Sequence, residues 1–130
     1  MIKKIDHIGL AVSNLDDFLD IFNKLFGTRA EVTETKALKA GFIQVGDIII
    51  EPIQPLDKDQ AIGQYISKHG NGIHHICFEV DDIDKELDTL AAKGVKLNDR
   101  KGRPGLLGKV GFINPTSTGD VIIELVEKNK

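Results

Sequence analysis

Four side chains carry the chemistry that this sequence offers. His7 lies in Ile5-Asp6-His7-Ile8-Gly9-Leu10-Ala11-Val12 and His75 in Ile73-His74-His75-Ile76-Cys77-Phe78-Glu79-Val80, two stretches that superpose without a gap. Glu51 closes the apolar run Ile48-Ile49-Ile50, and Glu124 follows Val121-Ile122-Ile123. A carboxylate among isoleucines and valines loses hydration at a cost of several kcal/mol unless it meets a cation or takes up a proton. Metal ligation satisfies both carboxylates. Two imidazoles and two carboxylates suit a borderline divalent ion such as cobalt, nickel, zinc, iron or manganese, with positions left for water or substrate oxygens. Taken singly, each residue has an ordinary explanation as a hydrogen-bonded strand histidine or a solvent-turned glutamate. Their recurrence at corresponding places in both halves points instead to one ion held by His7, Glu51, His75 and Glu124.

The elements that must position these residues form a repeat. In Ile5–Val12 the alternation puts Ile8, Leu10 and Val12 on one face and His7, Gly9 and Ala11 on the other. Ser13 with Asp16 makes a capping-box-like start for a helix carrying Leu15, Phe18, Leu19, Phe22, Leu25 and Phe26, which Gly27 stops and which must cover the bulky face. Extended runs follow at about 29–35, 38–45 and 47–53, ended by Pro52 and Pro55. A linking helix is expected at about 56–70, closed by Gly70-Asn71-Gly72. The second copy places Ile76, Phe78 and Val80 opposite His75, Cys77 and Glu79, then a helix capped by Asp81-Asp82 and ending near Gly94. Strands at 95–97, 109–113 and 120–126 complete it, with 100–109 a basic, glycine-rich loop. The expected class is α+β, one domain over 1–130 built from two tandem β-α-β-β-β modules at about 4–54 and 72–127. His74 points away from His75 and reads either as a support for the site from behind or as structural; His69 reads as a helix-end surface residue.

Composition sets the outer bounds. At 130 residues, with 41% hydrophobic and 28% charged residues, the chain fits one soluble globular domain. A formal charge of −3 argues against a general nucleic-acid or membrane-surface binder, because both need a basic footprint. Asp6 and His7 interrupt any early apolar core and no apolar run reaches membrane-spanning length, so a cytoplasmic location is expected. The lone Cys77 cannot form an internal disulfide.

These residues resemble the vicinal-oxygen-chelate superfamily, the glyoxalase-like fold of paired β-α-β-β-β modules, and within it the methylmalonyl-CoA epimerases. The resemblance is carried by Asp6–Val12, by 42–56 with Glu51 and Pro55, by Gly70–Ile83 with its Gly-Ile-His-His-Ile stretch, and by 108–126 with Asn114-Pro115, Ser117-Thr118-Gly119 and Ile123-Glu124-Leu125. It spans nearly the whole chain. The resemblance implies the same four ligands, a cobalt, nickel, zinc, manganese or magnesium ion, a homodimer, and epimerisation at C2 of methylmalonyl-CoA by 1,1-proton transfer. Glu124 is then the candidate for one proton transfer. For the opposite face, 37–41 lacks the glutamate some epimerases carry there, which leaves Glu34 just upstream and Lys39 within that stretch as the candidates. Arg103 and Lys109, with Arg100 and Lys101, offer cationic contacts to CoA phosphate or the substrate carboxylate, and Ser117 and Thr118 offer hydroxyls. Asn114 replaces a histidine found in many members. A glyoxalase I-like isomerase with the same ligands, acting on a glutathione hemithioacetal, and a non-catalytic small-molecule-binding member remain as alternatives.

Overall fold

In the computed structural model, which describes residues 1–129, the order is β1 (Ile2–Ala11), α1 (Leu15–Phe26), β2 (Glu31–Glu34), β3 (Leu38–Val45), β4 (Ile48–Pro55), α2 (Ala61–His69), β5 (Gly72–Val80), α3 (Ile83–Ala92), β6 (Arg103–Pro104), β7 (Gly108–Phe112), a 3-10 turn (Pro115–Ser117) and β8 (Ile123–Lys128). The fold is α+β, and both halves read β-α-β-β-β. The chain divides into two units, His7–His74, and Met1–Asp6 with the segment from His75 onward. Strand order is β2-β3-β4-β1 in the first and β5-β8-β7-β6 in the second, so the halves correspond strand for strand. In each, the strand that opens the module lies parallel to the one that closes it.

In the first unit, α1 begins one residue later than the Ser13–Asp16 pattern predicts. Asn14 is the cap, accepting the Asp17 N–H at 3.0 Å, while the Ser13 N–H donates to Asn71 Oδ1 at 3.0 Å. The shift lets Leu15 enter the core fully buried, with its N–H on Gln54 Oε1 at 2.8 Å. Gly27 closes the helix at φ 65°, a left-handed conformation that glycine adopts without the Cβ clash. Pro52 does not end β4, which runs on to Pro55. The β3–β4 register passes from Ala40↔Ile53 to Ile43↔Ile50, so the ladder skips the positions around Pro52 where the ring supplies no donor. Leu10 pairs with Pro52, and a Cβ at Gly41 would lie 3.4 Å from Pro52 Cγ and 3.3 Å from Leu19 Cδ2. That face, bearing Ile8 and Leu10, is the one α1 covers. The opposite face carries His7 and Ala11.

In the second unit, Asp82 caps α3 by accepting the Lys85 N–H at 3.2 Å, and Ile83 and Leu87 pack fully buried against Val80 and Leu125. Residues 95–97 do not form the predicted strand; only an isolated Leu97↔Ile113 bridge is made. The reason lies at β7. The Phe112 N–H is taken by the Asp99 side chain at 2.8 Å, and the Phe112 carbonyl accepts from Asn98 and Asp99 N–H groups, so loop groups saturate that stretch of edge. The missing hairpin strand comes from the loop instead, with Arg103↔Val110 and Pro104↔Lys109. The 100–109 segment is therefore partly sheet rather than irregular. It is anchored where the Gly102 N–H donates to Asp84 Oδ1 at 2.8 Å, and a Cβ on Gly102 would meet Ile83 Cγ2 at 2.6 Å.

Candidate functional site

Parallel pairing fixes which residues share a face, because partners in a parallel ladder project to the same side. In the first unit Gly9 pairs with Glu51, two positions after His7; in the second Cys77 pairs with Glu124, two positions after His75. The repeat thus extends from sequence to hydrogen-bond register. Its outcome is the same pair twice: His7 Nε2 lies 3.1 Å from Glu51 Oε1, and His75 Nε2 lies 3.1 Å from Glu124 Oε1. All four side chains are buried, with Glu51 at 5% and Glu124 at 7% exposure.

Burying two carboxylates against apolar strands costs several kcal/mol per charge unless cations face them. Two donors each about 2.1 Å from one ion, at about 90° to one another, are about 3.0 Å apart. The 3.1 Å separations allow that spacing as they allow a hydrogen bond, so donor type and burial carry the fit to a divalent cation. The residues suit His/Glu ligation by a borderline metal better than they suit a soft, thiolate-seeking one. The ring of His75 is further fixed by Phe112, whose centroid lies 5.6 Å away in an edge-on arrangement, and whose partner in the β7–β8 ladder is Glu124.

The other predicted residues fall in different places. Glu34 is exposed at the end of β2 and pairs with Lys39, on the α1 face of the first unit and away from the His7–Glu51 face. Lys109 is tied to Asp84 at 3.2 Å; each group holds the other in its charged form, the Asp84 carboxyl lowered first by the Gly102 N–H and then by Lys109, the Lys109 ammonium raised by Asp84. Arg100 pairs with Asp88 at 2.6 Å. Ser117 Oγ accepts the Lys96 N–H at 2.9 Å, and Thr118 Oγ1 donates to Val121 O at 2.5 Å, so both hydroxyls shape the turn before β8. Asn114 caps that turn and donates to Asn98 Oδ1 at 2.9 Å. Arg103 alone of these cations projects toward the second pair, its guanidinium 5.8 Å from the Phe112 centroid. His74 meets Tyr65 edge-on at 5.1 Å. Two residues that matter went unnoticed in the sequence, Phe112 and Asp99. Phe112 was recoverable as the antiparallel partner expected for Glu124; nothing in the sequence signals Asp99, which sits in an apparent loop.

Among the described residues no helix is long and apolar enough to cross a membrane. A family model described as Glyoxalase/Bleomycin resistance protein/Dioxygenase superfamily matches residues 6–112. The mitochondrial methylmalonyl-CoA epimerase of Dictyostelium discoideum is 34% identical, over 98% of this chain and 80% of its own length. An uncharacterized Bacillus subtilis protein, YqjC, is 33% identical, over 96% of this chain and 92% of its own. The solved methylmalonyl-CoA epimerase of Mycobacterium tuberculosis superposes with a TM-score of 0.90 at 28% identity, covering 99% of this chain and 90% of that one. The chain therefore belongs to the glyoxalase/bleomycin resistance protein/dioxygenase superfamily, where its relatives include methylmalonyl-CoA epimerases, enzymes of the isomerase class.

Proposed function

We propose that this protein is a metal-dependent epimerase that interconverts the C2 epimers of methylmalonyl-CoA, with His7, Glu51, His75 and Glu124 holding one divalent ion. The observation that carries the reading is the twice-built His–Glu pair, at one register offset and one 3.1 Å separation, in a chain similar to epimerases along almost its whole length. When bound, a divalent ion supplies Lewis-acid stabilisation of the charge that develops on the thioester oxygen.

The protein's own groups do the rest. Glu124 takes up the C2 proton on one face, and a proton delivered to the opposite face, from a second acid or a water, completes the inversion; the seat of Glu124 beside Val126 and Phe112 keeps bulk water away from its carboxylate. His75 is held by the edge of Phe112, so its ring does not swing as the glutamate works. Glu51 and His7 bear no proton in this scheme. Their part is to hold charge and geometry constant while Glu124 moves. Arg103 contributes a cation on the substrate side. Lys109, Ser117 and Thr118 make the bonds that define the loop and turn, and Glu34 pairs with Lys39 on the α1 face of the first unit.

The test is deuterium incorporation at C2 of methylmalonyl-CoA in D2O, followed by mass spectrometry with metal-loaded protein. Exchange into both epimers is expected. No exchange, with turnover of a glutathione hemithioacetal instead, would assign the site to the glyoxalase I reaction and overturn this reading.

A further inference from the structure

Arg103 in β6 and Lys109 in β7 stand on one hairpin, yet the structure treats them differently. Lys109 and Arg100 use their terminal nitrogens on α3 carboxylates, Nζ on Asp84 at 3.2 Å and Nη1 on Asp88 at 2.6 Å. Arg103 gives only its Nε, to Asp99 Oδ1 at 3.0 Å. The outer fork, Nη1 and Nη2, takes part in none of its hydrogen bonds or ion pairs among the described residues. Asp99 is itself immobilised, because its other oxygen accepts the Phe112 N–H at 2.8 Å.

Register shows where the fork is delivered. Arg103 pairs with Val110, Val110 with Val126, Phe112 with Glu124 and Glu124 with Cys77, so Arg103, Phe112 and Glu124 project from one face of the second unit. The guanidinium lies over the Phe112 ring at 5.8 Å from its centroid, within cation–π reach, and that ring is 5.6 Å from the ring of His75. One carboxylate thus holds both the cation and the backbone of the residue whose ring lies beneath it. A planar fork held by Nε over an aromatic face is prepared for bidentate contact with a carboxylate or phosphate.

We propose that Asp99 is a positioning residue: it sets Arg103 over Phe112 so that Arg103 recognises an anionic group of the thioester handled by His75 and Glu124. The proposal rests on the thioester reading of the site. The shared chemistry is a pair of anionic oxygens, and two parts of the substrate supply it, the acyl carboxylate and the CoA phosphates.

The test compares Arg103→Met, Asp99→Asn and the double variant by C2 exchange, using methylmalonyl-CoA and methylmalonyl-pantetheine, which lacks the nucleotide phosphates. Arg103→Met raises KM by about 10- to 100-fold with kcat nearly unchanged, the pattern of lost uniform binding. Asp99→Asn raises KM less, and the double variant is no worse than Arg103→Met, because Asp99 acts through Arg103. Arg103→Lys recovers little, since an ammonium cannot serve Asp99 and a bidentate ligand together. Asp88→Asn, which breaks the neighbouring pair with Arg100, leaves KM unaltered. A KM effect that persists with the pantetheine substrate assigns the acyl carboxylate; one confined to the CoA substrate assigns the phosphates. Unchanged KM with both substrates, or additive effects in the double variant, overturns the proposal. If wild-type protein shows no C2 exchange, the epimerase reading fails separately, and calorimetric binding of the two thioesters to wild type and Arg103→Met decides this one: equal affinities refute it.

Discussion

Replacing Glu51 with methionine separates ligation from structural support by the sign of two effects. The substitution keeps the length of the side chain and removes a carboxylate that is 5% exposed, beside Ile49, Ile50 and Ile53. Without metal, losing a desolvated charge is favourable by several kcal/mol, whereas depriving His7 Nε2 of its 3.1 Å acceptor costs about 1–3 kcal/mol. The two nearly cancel. For 130 residues the unfolding entropy is about 0.27 kcal/mol/K, so each kcal/mol moves Tm by about 4 °C. In chelator, Glu51→Met is therefore expected within about 4 °C of wild type, or above it. With a divalent ion at about 1,000 times its Kd, wild type gains about 4 kcal/mol; a hundredfold weaker site gains about 1.4, so the variant loses about 2.7 kcal/mol, or about 10 °C, of the metal-induced shift. Scanning fluorimetry with and without metal reads both numbers. A variant that melts 10 °C lower in chelator yet keeps the whole metal shift would refute the reasoning, making Glu51 only a hydrogen-bond partner of His7.

Four further outcomes follow from particular contacts. Glu124→Gln, which leaves an oxygen near His75 but no base, lowers kcat for C2 exchange by about 10²- to 10⁴-fold while bound metal, measured by mass spectrometry, is retained. Gly102→Ala puts a methyl 2.6 Å from buried Ile83 Cγ2 and destabilises by about 1–3 kcal/mol, read as a Tm fall of about 4–11 °C. Leu87→Ala empties a fully buried position beneath α3 and costs about 2–5 kcal/mol in denaturant unfolding. Asp84 has its carboxyl lowered in the folded state by the Gly102 N–H and Lys109, so its contribution is present above the unfolded value of 3.8 and is lost as pH falls through the folded value. Asp84→Asn accordingly loses stability relative to wild type at neutral pH and converges with it in acid.

The sequence exposed the parts of this fold that depend on local pattern. Alternation in 5–12 and 73–80 shows the strand faces, the apolar spacing from Leu15 to Phe26 shows α1, and Gly27 and Asp82 mark a helix end and a helix start. Where tertiary bonding competes with a local signal, the local signal loses. Pro52 looks like a strand terminator, but its ring falls where the β3–β4 ladder is already interrupted and Gly41 makes room for it. Residues 95–97 have strand-forming side chains, yet Asp99 and Asn98 satisfy the adjacent stretch of β7 and the pairing passes to Arg103–Pro104. At the site, the His and Glu identities were legible because a carboxylate in an apolar strand needs a reason, and the repeat supplied it twice. On the loop, the pairing of Lys109 and Arg100 with Asp84 and Asp88 was not legible, because it depends on where α3 packs and not on local pattern.

Metal titration under native conditions, with stoichiometry measured on wild type and on the single variants His7→Ala, Glu51→Ala, His75→Ala and Glu124→Ala, tests the central claim most directly. One ion per chain is expected in wild type, and each of the four substitutions, from either half, weakens that same ion by at least tenfold. Two independent ions per chain, or a substitution in one half that leaves the wild-type ion bound at full affinity, would contradict a single centre shared by the two His–Glu pairs.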